Sequence, residues 1–163
     1  TYGLNLNLTY EGFDLSAFFY GVQGKDVINY TRWWTDFYSS FQGGKAKRAL
    51  YDAWSPTNKG GSLPLVENSS NFSNQQVPNS YLMENGSYLR LKSLIVGYTL
   101  PKTVINRIGI DKFRIYAQAT NLFTITKYTG LDPEFIGNDT AFGIDYGNYP
   151  NQKQFLFGVN VTF

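Results

Sequence analysis

Four carboxylates late in the chain, Asp132, Glu134, Asp139 and Asp145, come nearest by type and spacing to a reactive group. Paired carboxylates can divide acid and base work between them, and a cluster of oxygens can hold calcium. These four are spread through an irregular Gly- and Asn-rich stretch, where solvated loop carboxylates are the ordinary case. The chain has no His and no Cys. That removes the commonest general base and metal ligand, any thiolate site and any disulfide. The sequence holds no nucleophile–base pair, phosphate-binding loop or ligand cluster, so neither catalysis nor a metal or cofactor is expected.

Recognition by aromatic faces is better represented. All three tryptophans, Trp33, Trp34 and Trp54, share one segment with Tyr30, Phe37, Tyr38, Phe41 and Tyr51, and Phe142, Tyr146 and Tyr149 share another. Such rings can stack on sugars or anchor a protein partner. A long loop also needs a small core of its own, and the same rings can supply it. Trp33, Trp34, Tyr38, Trp54, Phe142, Tyr146 and Tyr149 are the candidate substrate or partner contacts. Lys45, Lys47 and Arg48 can meet an anionic head group or acidic ligand, but a solvated helix face is the ordinary explanation for them.

The elements that must position these residues read as strands. Residues 154–163 alternate Phe155, Phe157, Val159, Val161 and Phe163 with Gln154, Gly158, Asn160 and Thr162, giving one greasy face and one wettable face. Ten residues rising ~3.3 Å each and tilted by ~45° cover about 23 Å, close to the ~25 Å apolar band of an outer-membrane barrel. Composition agrees: aromatics reach 18% and charged residues 16%, against ~25% charged in soluble domains, while mean hydropathy is negative. A net charge of +2 is too small to argue for nucleic acid. No apolar run is long enough for a spanning helix. Thr1-Tyr2-Gly3 does not begin a signal peptide, so the expectation is a mature internal piece with further chain before it.

Further strands are expected at about 4–10, 13–23, 88–99 and 113–124. The first two form a hairpin through Glu11-Gly12, and the alternation slips near Ser93. Residues 24–87, with a short helix around 46–54, and 125–153 form long loops. Connections therefore run short, long, short, long. Barrels keep short turns periplasmic and long loops outside, which puts the C-terminus in the periplasm. Charge placement fits. Leu4, Leu6, Leu8, Phe13, Leu15, Ala17, Phe19, Leu89, Leu91, Ile115, Ala117, Ala119, Phe155, Phe157, Val159 and Val161 share a charge-free face, with Asp14, Arg90, Lys92 and Arg114 opposite. Asn5, Asn7, Arg114, Tyr116 and Gln118 would face the lumen. A soluble sandwich also hides charge from its inner face. Leu6, Leu15, Ile115 and Val159 meeting in an enclosed interior would therefore indicate a water-borne binding module.

Several stretches bear a family resemblance. Asn85-Gly86-Ser87-Tyr88-Leu89-Arg90-Leu91-Lys92-Ser93-Leu94-Ile95-Val96-Gly97-Tyr98-Thr99-Leu100-Pro101, then Phe113-Arg114-Ile115-Tyr116-Ala117-Gln118-Ala119-Thr120-Asn121-Leu122-Phe123-Thr124, then Gly130-Leu131-Asp132-Pro133-Glu134 and the terminal strand follow in order. Together with Leu4-Asn5-Leu6-Asn7-Leu8 and residues 12–19, they resemble the C-terminal region of SusC/RagA-type TonB-dependent outer-membrane transporters of Bacteroidetes. The resemblance implies an all-β, plugged barrel of about 22 strands, of which this chain supplies about the last five. It implies energised import of glycan fragments or oligopeptides and a SusD-like surface lipoprotein as lid. It also implies contact with TonB through an N-terminal part outside this chain, outer-membrane lipid around the barrel, and Phe155, Phe157, Val159, Val161 and Phe163 as a C-terminal assembly signal. Asp139-Thr140-Ala141 resembles a short O-glycosylation pattern of exported proteins from that phylum. The Asn-x-Ser/Thr triplets at Asn68, Asn71, Asn85 and Asn160 are expected by chance in an Asn-rich chain. The competing readings are a soluble carbohydrate-binding β-sandwich and a passive porin.

Overall fold

The computed structural model describes residues 1–37, 43–67, 79–105, 109–135 and 140–163. Tyr38, Phe41, Asn68, Asn71 and Asp139 lie outside them. In chain order the strands are β1 (Tyr2–Tyr10), β2 (Phe13–Val22), β3 (Asp26–Asn29), β4 (Met83–Asn85), β5 (Tyr88–Thr99), β6 (Lys112–Thr120), β7 (Thr124–Thr126), β8 (Ile144–Asp145) and β9 (Gln154–Thr162). They divide between two compact units.

The first unit (1–23, 87–127, 151–163) is an antiparallel sheet ordered β1-β2-β5-β6-β9, with β7 also beside β5. Its opening hairpin is dictated by Glu11-Gly12, whose φ values of 44° and 88° are both positive. Two such residues make the turn whose twist matches that of the flanking strands. Gly12 also accepts a hydrogen bond from the Thr99 amide at 2.8 Å, and a side chain there would strike the Thr99 carbonyl. The slip expected near Ser93 is a β-bulge. Phe18 faces Ser93 and Phe19 faces Leu91, so Lys92 is the extra residue and local twist rises. The strand expected at 113–124 is interrupted at Asn121, which adopts φ 50°, a conformation Asn tolerates better than most residues. Pairing to β5 resumes at Thr124.

Register assembles the faces. Leu6 faces Ala17, Ala17 faces Leu94, Leu94 faces Ala119 and Ala119 faces Phe155. One row lower, Leu8, Leu15, Val96, Ala117 and Phe157 line up in the same way. This face carries no charge among the described strand residues, and most of its large side chains are bare: Leu6 is 42% exposed, Ile115 46% and Val159 55%. Ala17, Leu91 and Ala119 are buried there. Each large apolar side chain left in water forgoes about 1.5–3 kcal/mol of burial. A sheet with this many belongs against hydrocarbon or a partner. Aromatics mark the ends of the face. The Phe13 and Tyr98 rings are 4.5 Å apart at one end, and Phe19 and Phe123 are 6.5 Å apart at the other, as in the girdles of membrane barrels.

The second unit (24–86, 128–150) has its own three-stranded sheet, β4-β3-β8, in which β3 and β8 run parallel. A single α-helical turn, Tyr30–Arg32, widens into a π-helical turn, Trp33–Phe37. The expected helix covers only Lys47–Tyr51. Among the described residues of this unit, Val27, Leu63, Leu82 and Tyr128 are the buried apolar ones.

Candidate functional site

Each unit offers a surface built from its own strands or turns. On the sheet, the face opposite the bare apolar one presents Asn5, Asn7, Asp14, Arg90, Arg114, Tyr116 and Gln118, as the register requires. Arg114 on β6 donates from Nε and Nη2 to the two carboxylate oxygens of Asp14 on β2, at 2.8 and 2.5 Å. Gly97 of the intervening β5 leaves room, since a Cβ there would collide with both groups. The same guanidinium lies 5.0 Å from the Tyr116 ring centre, and that ring covers Gly158 of β9. Farther along the face, Lys92 lies over Tyr20, Tyr20 packs 6.2 Å from Tyr88, and Arg90 lies over Tyr88 while donating to Thr124 at 2.7 Å. The face is therefore polar and aromatic with its charges held, which suits the wall of a wet passage.

In the second unit, rings from two distant segments meet. Tyr30 stacks on Trp33 at 5.0 Å and 20°, and Tyr146 meets Tyr30 edge-on at 5.1 Å. Trp34 meets Trp33 edge-on at 4.8 Å. Trp34 is 37% exposed and Tyr146 54%, so the cluster serves both as packing and as an open aromatic surface. Phe142 and Tyr149 are exposed, as is Trp54, which makes no ring contact with the cluster among the described residues.

Charged groups of this unit are spent on structure. Fully buried Asp36 accepts from Arg48 Nε at 2.8 Å, the Tyr81 hydroxyl at 2.7 Å and Thr35 at 3.0 Å. The Asp36 bond keeps Arg48 protonated to higher pH than usual. Burial, reinforced by the same carboxylate, pushes the Tyr81 phenol up to about 12. Glu84 gathers Asn29 Nδ2 at 2.8 Å and the Thr129 amide and hydroxyl at 2.8 and 2.9 Å. Arg32 Nε sits 2.9 Å from the Glu84 carboxylate but off the line of a hydrogen bond, so its contribution there is Coulombic. Asp145, buried, accepts from the Tyr128 hydroxyl at 2.6 Å, and burial raises that phenol's pKa. Asp132 accepts the Glu134 amide at 2.9 Å in a local turn. Lys25 donates to the Pro133 carbonyl at 2.8 Å over the Phe135 ring, and burial lowers its pKa. Three of the four carboxylates singled out from sequence are thus placed, and all three, Glu134, Asp132 and Asp145, act electrostatically on Lys25; the described residues hold no group of ligands that could bind a metal. Sequence reading missed Asp36 and Glu84, whose only signal was acidity inside aromatic or apolar stretches.

No protein-family profile matches the sequence. The TonB-dependent receptor P3 of Formosa agariphila is 35% identical over 170 residues, taking in 100% of this chain and 16% of that protein. The TonB-dependent receptor SusC of Bacteroides thetaiotaomicron is 38% identical over 86 residues, 51% of this chain and 8% of that protein. A solved structure of the RagAB peptide transporter matches 99% of this chain and 17% of its own at 35% identity, with a TM-score of 0.80. The chain spans about a sixth of the length of the first of these relatives. With the antiparallel sheet, its charge-free face and the motifs along its strands, these matches lead to one conclusion: the chain belongs to the SusC/RagA-type TonB-dependent receptors, as a stretch of their β-barrel.

Proposed function

We propose that this chain forms wall and surface loops of an outer-membrane nutrient importer energised through TonB. Its cargo is glycan fragments or oligopeptides, and a SusD-like lipoprotein closes over it. The observation that carries this reading is the bare apolar face, charge-free along its strands, backed by a polar face whose charges are clasped. Hydrocarbon accepts a sheet only when its edges are closed, so the free edges of β1 and β9 pair with further strands of the parent protein, with a plug inside.

In this arrangement Asn5, Asn7, Arg114, Tyr116 and Gln118 line the passage. The Trp33–Trp34–Tyr146 cluster, with Trp54, Phe142 and Tyr149, meets cargo or lid. The C-terminus and the short turns are periplasmic, because the connections at one end of the sheet are short and those at the other long. Phe155, Phe157, Val159, Val161 and Phe163 serve as the assembly signal. The chain takes part in no covalent chemistry, in keeping with relatives named as receptors and transporters.

Cells carrying the full-length parent protein should accumulate a labelled oligosaccharide or oligopeptide pool only while TonB is present. Uptake that persists without TonB would indicate a passive porin. A parent protein that stays folded and monomeric in detergent-free buffer would indicate a soluble binding module.

A further inference from the structure

Two stretches make up the second unit, 24–86 and 128–150, and they are joined at several points. β3 of the first runs beside β8 of the second, with Ile28 facing Ile144 and Asn29 facing Asp145. Lys25 of the first reaches the Pro133 carbonyl of the second at 2.8 Å. Between them stands Glu84 of β4, its side chain only 8% exposed. Within its own stretch Glu84 accepts from Asn29 Nδ2 at 2.8 Å and lies 2.9 Å from Arg32 Nε. Across to the other it accepts from the Thr129 amide and hydroxyl at 2.8 and 2.9 Å. Asn29 and Arg32 bracket Tyr30, and Trp33 follows directly. Thr129 follows Tyr128, whose hydroxyl donates to Asp145, the neighbour of Tyr146. The circuit closes where the Tyr146 ring meets Tyr30 at 5.1 Å. One carboxylate thus ties down both halves of the aromatic surface.

We propose that Glu84 is a positioning residue for cargo: it locks the two stretches into one arm, which stays closed while cargo is taken up. Exposed Trp34 comes from one stretch and exposed Tyr146 from the other, so cargo that touches both meets a complete surface only while the stretches are joined. A surface complete for a fraction of the time binds more weakly by that fraction. Hydrogen bonds to an ionised carboxylate shielded from water are the strong kind, and they organise the surface before cargo arrives. With its carboxylate enclosed, Glu84 acts through the rings and does not touch cargo itself.

This inference rests on the import reading proposed above. The test follows uptake of a labelled casein digest and a labelled polysaccharide hydrolysate by cells carrying the full-length parent protein, over a range of concentrations. This chain has no cysteine. Ile28→Cys with Ile144→Cys therefore adds one facing pair, ~4.8 Å apart at the backbone, for a short reducible bis-methanethiosulfonate linker, with the linker-treated parent as control. The bridged pair should import at the parental rate. Glu84→Ala should raise the half-saturating concentration about tenfold, as when the surface is complete about a tenth of the time, and leave the maximal rate unchanged. Bridging the cysteine pair in the Glu84→Ala protein should restore the parental half-saturation, and reductant should take that restoration away. Heat-modifiable migration verifies that each variant is folded. Should Glu84→Ala fail to assemble, Thr129→Val carries the comparison, since it leaves the Asn29 bond in place. Loss of uptake on bridging that reductant reverses would show that the stretches must part, and would overturn the inference. So would an unchanged half-saturation in Glu84→Ala, or one that bridging fails to restore. Absence of TonB-dependent uptake of either pool by the parent protein would sink the import reading itself.

Discussion

Arg114 reaches across the full width of β5 to grip both carboxylate oxygens of Asp14, at 2.8 and 2.5 Å. Strands in a sheet are ~4.8 Å apart, so residues two strands apart are separated by about 10 Å at the backbone. The reach succeeds because Gly97, directly beside Asp14 in the ladder, has no side chain. Three consecutive strands are thereby tied by one guanidinium on the polar face.

The clasp predicts that Arg114→Ala and Gly97→Val lower stability by similar amounts, the first by deleting the guanidinium and the second by filling its path. Both groups keep partial contact with water, so the expected loss is about 1 kcal/mol for each. The gel-shift melting midpoint of the full-length barrel measures it. Should Gly97→Val leave the midpoint unchanged while Arg114→Ala lowers it, the glycine is not what permits the reach.

The hairpin predicts opposite effects at adjacent positions. Glu11 holds φ at 44° without being glycine, so Glu11→Gly or Glu11→Asn should stabilise the barrel by about 0.5–1 kcal/mol. Gly12→Ala should destabilise it by more, since the added Cβ meets the Thr99 carbonyl as well as an unfavourable φ. Equal effects of the two glycine-site changes on the melting midpoint would refute the turn assignment.

The strands were legible because alternation at period two is a local property, written in consecutive residues such as Leu4 to Tyr10 and Phe155 to Phe163. The bulge at Lys92 announced itself for the same reason, as a broken alternation. What stayed hidden depends on distance along the chain. β3 and β8 are four and two residues long, too short to carry a pattern, and they pair only because the segments bearing them are brought together. Asp14 and Arg114 were both readable as charges on the wet face, but nothing in either neighbourhood says that Gly97 would let them touch. Trp33 and Trp34 were visible as a pair. Their link through Tyr30 to Tyr146 joins two loops, and no local spacing encodes that. Asp36 gave no signal because a carboxylate between Thr35 and Phe37 reads as a surface charge until Arg48 and Tyr81 are seen to enclose it.

Facing positions on β6 predict a test of the membrane-directed side. Ala117→Arg places a cation in the middle of the apolar face and should cost ~2–4 kcal/mol at the bilayer midplane. Gln118→Arg, one residue on, turns to the polar side and should leave assembly near the parental level. The assembled fraction in outer-membrane preparations distinguishes the two. Equal tolerance of arginine at both sites would place neither face in hydrocarbon.

Alkaline pH probes the buried network of the second unit. The Tyr81 phenol has a pKa near 12 in the folded protein against 10.0 for an ordinary tyrosine, chiefly through burial and secondarily through its bond to Asp36. Folding therefore favours the neutral phenol. The stabilisation this provides is complete below pH 10 and disappears as pH rises through about 12. Burial pushes Tyr128 in the same direction. In a difference titration of phenolate absorbance between the parent protein and Tyr81→Phe, the missing tyrosine should ionise late, near pH 12. Asp36→Asn should bring that step down only part of the way, because burial, the larger cause, remains. The same substitution removes the anion enclosed by Arg48 and Tyr81, and should destabilise the unit by about 3 kcal/mol. A Tyr81 step at pH 10 in the folded parent would show that the phenol is not enclosed against Asp36.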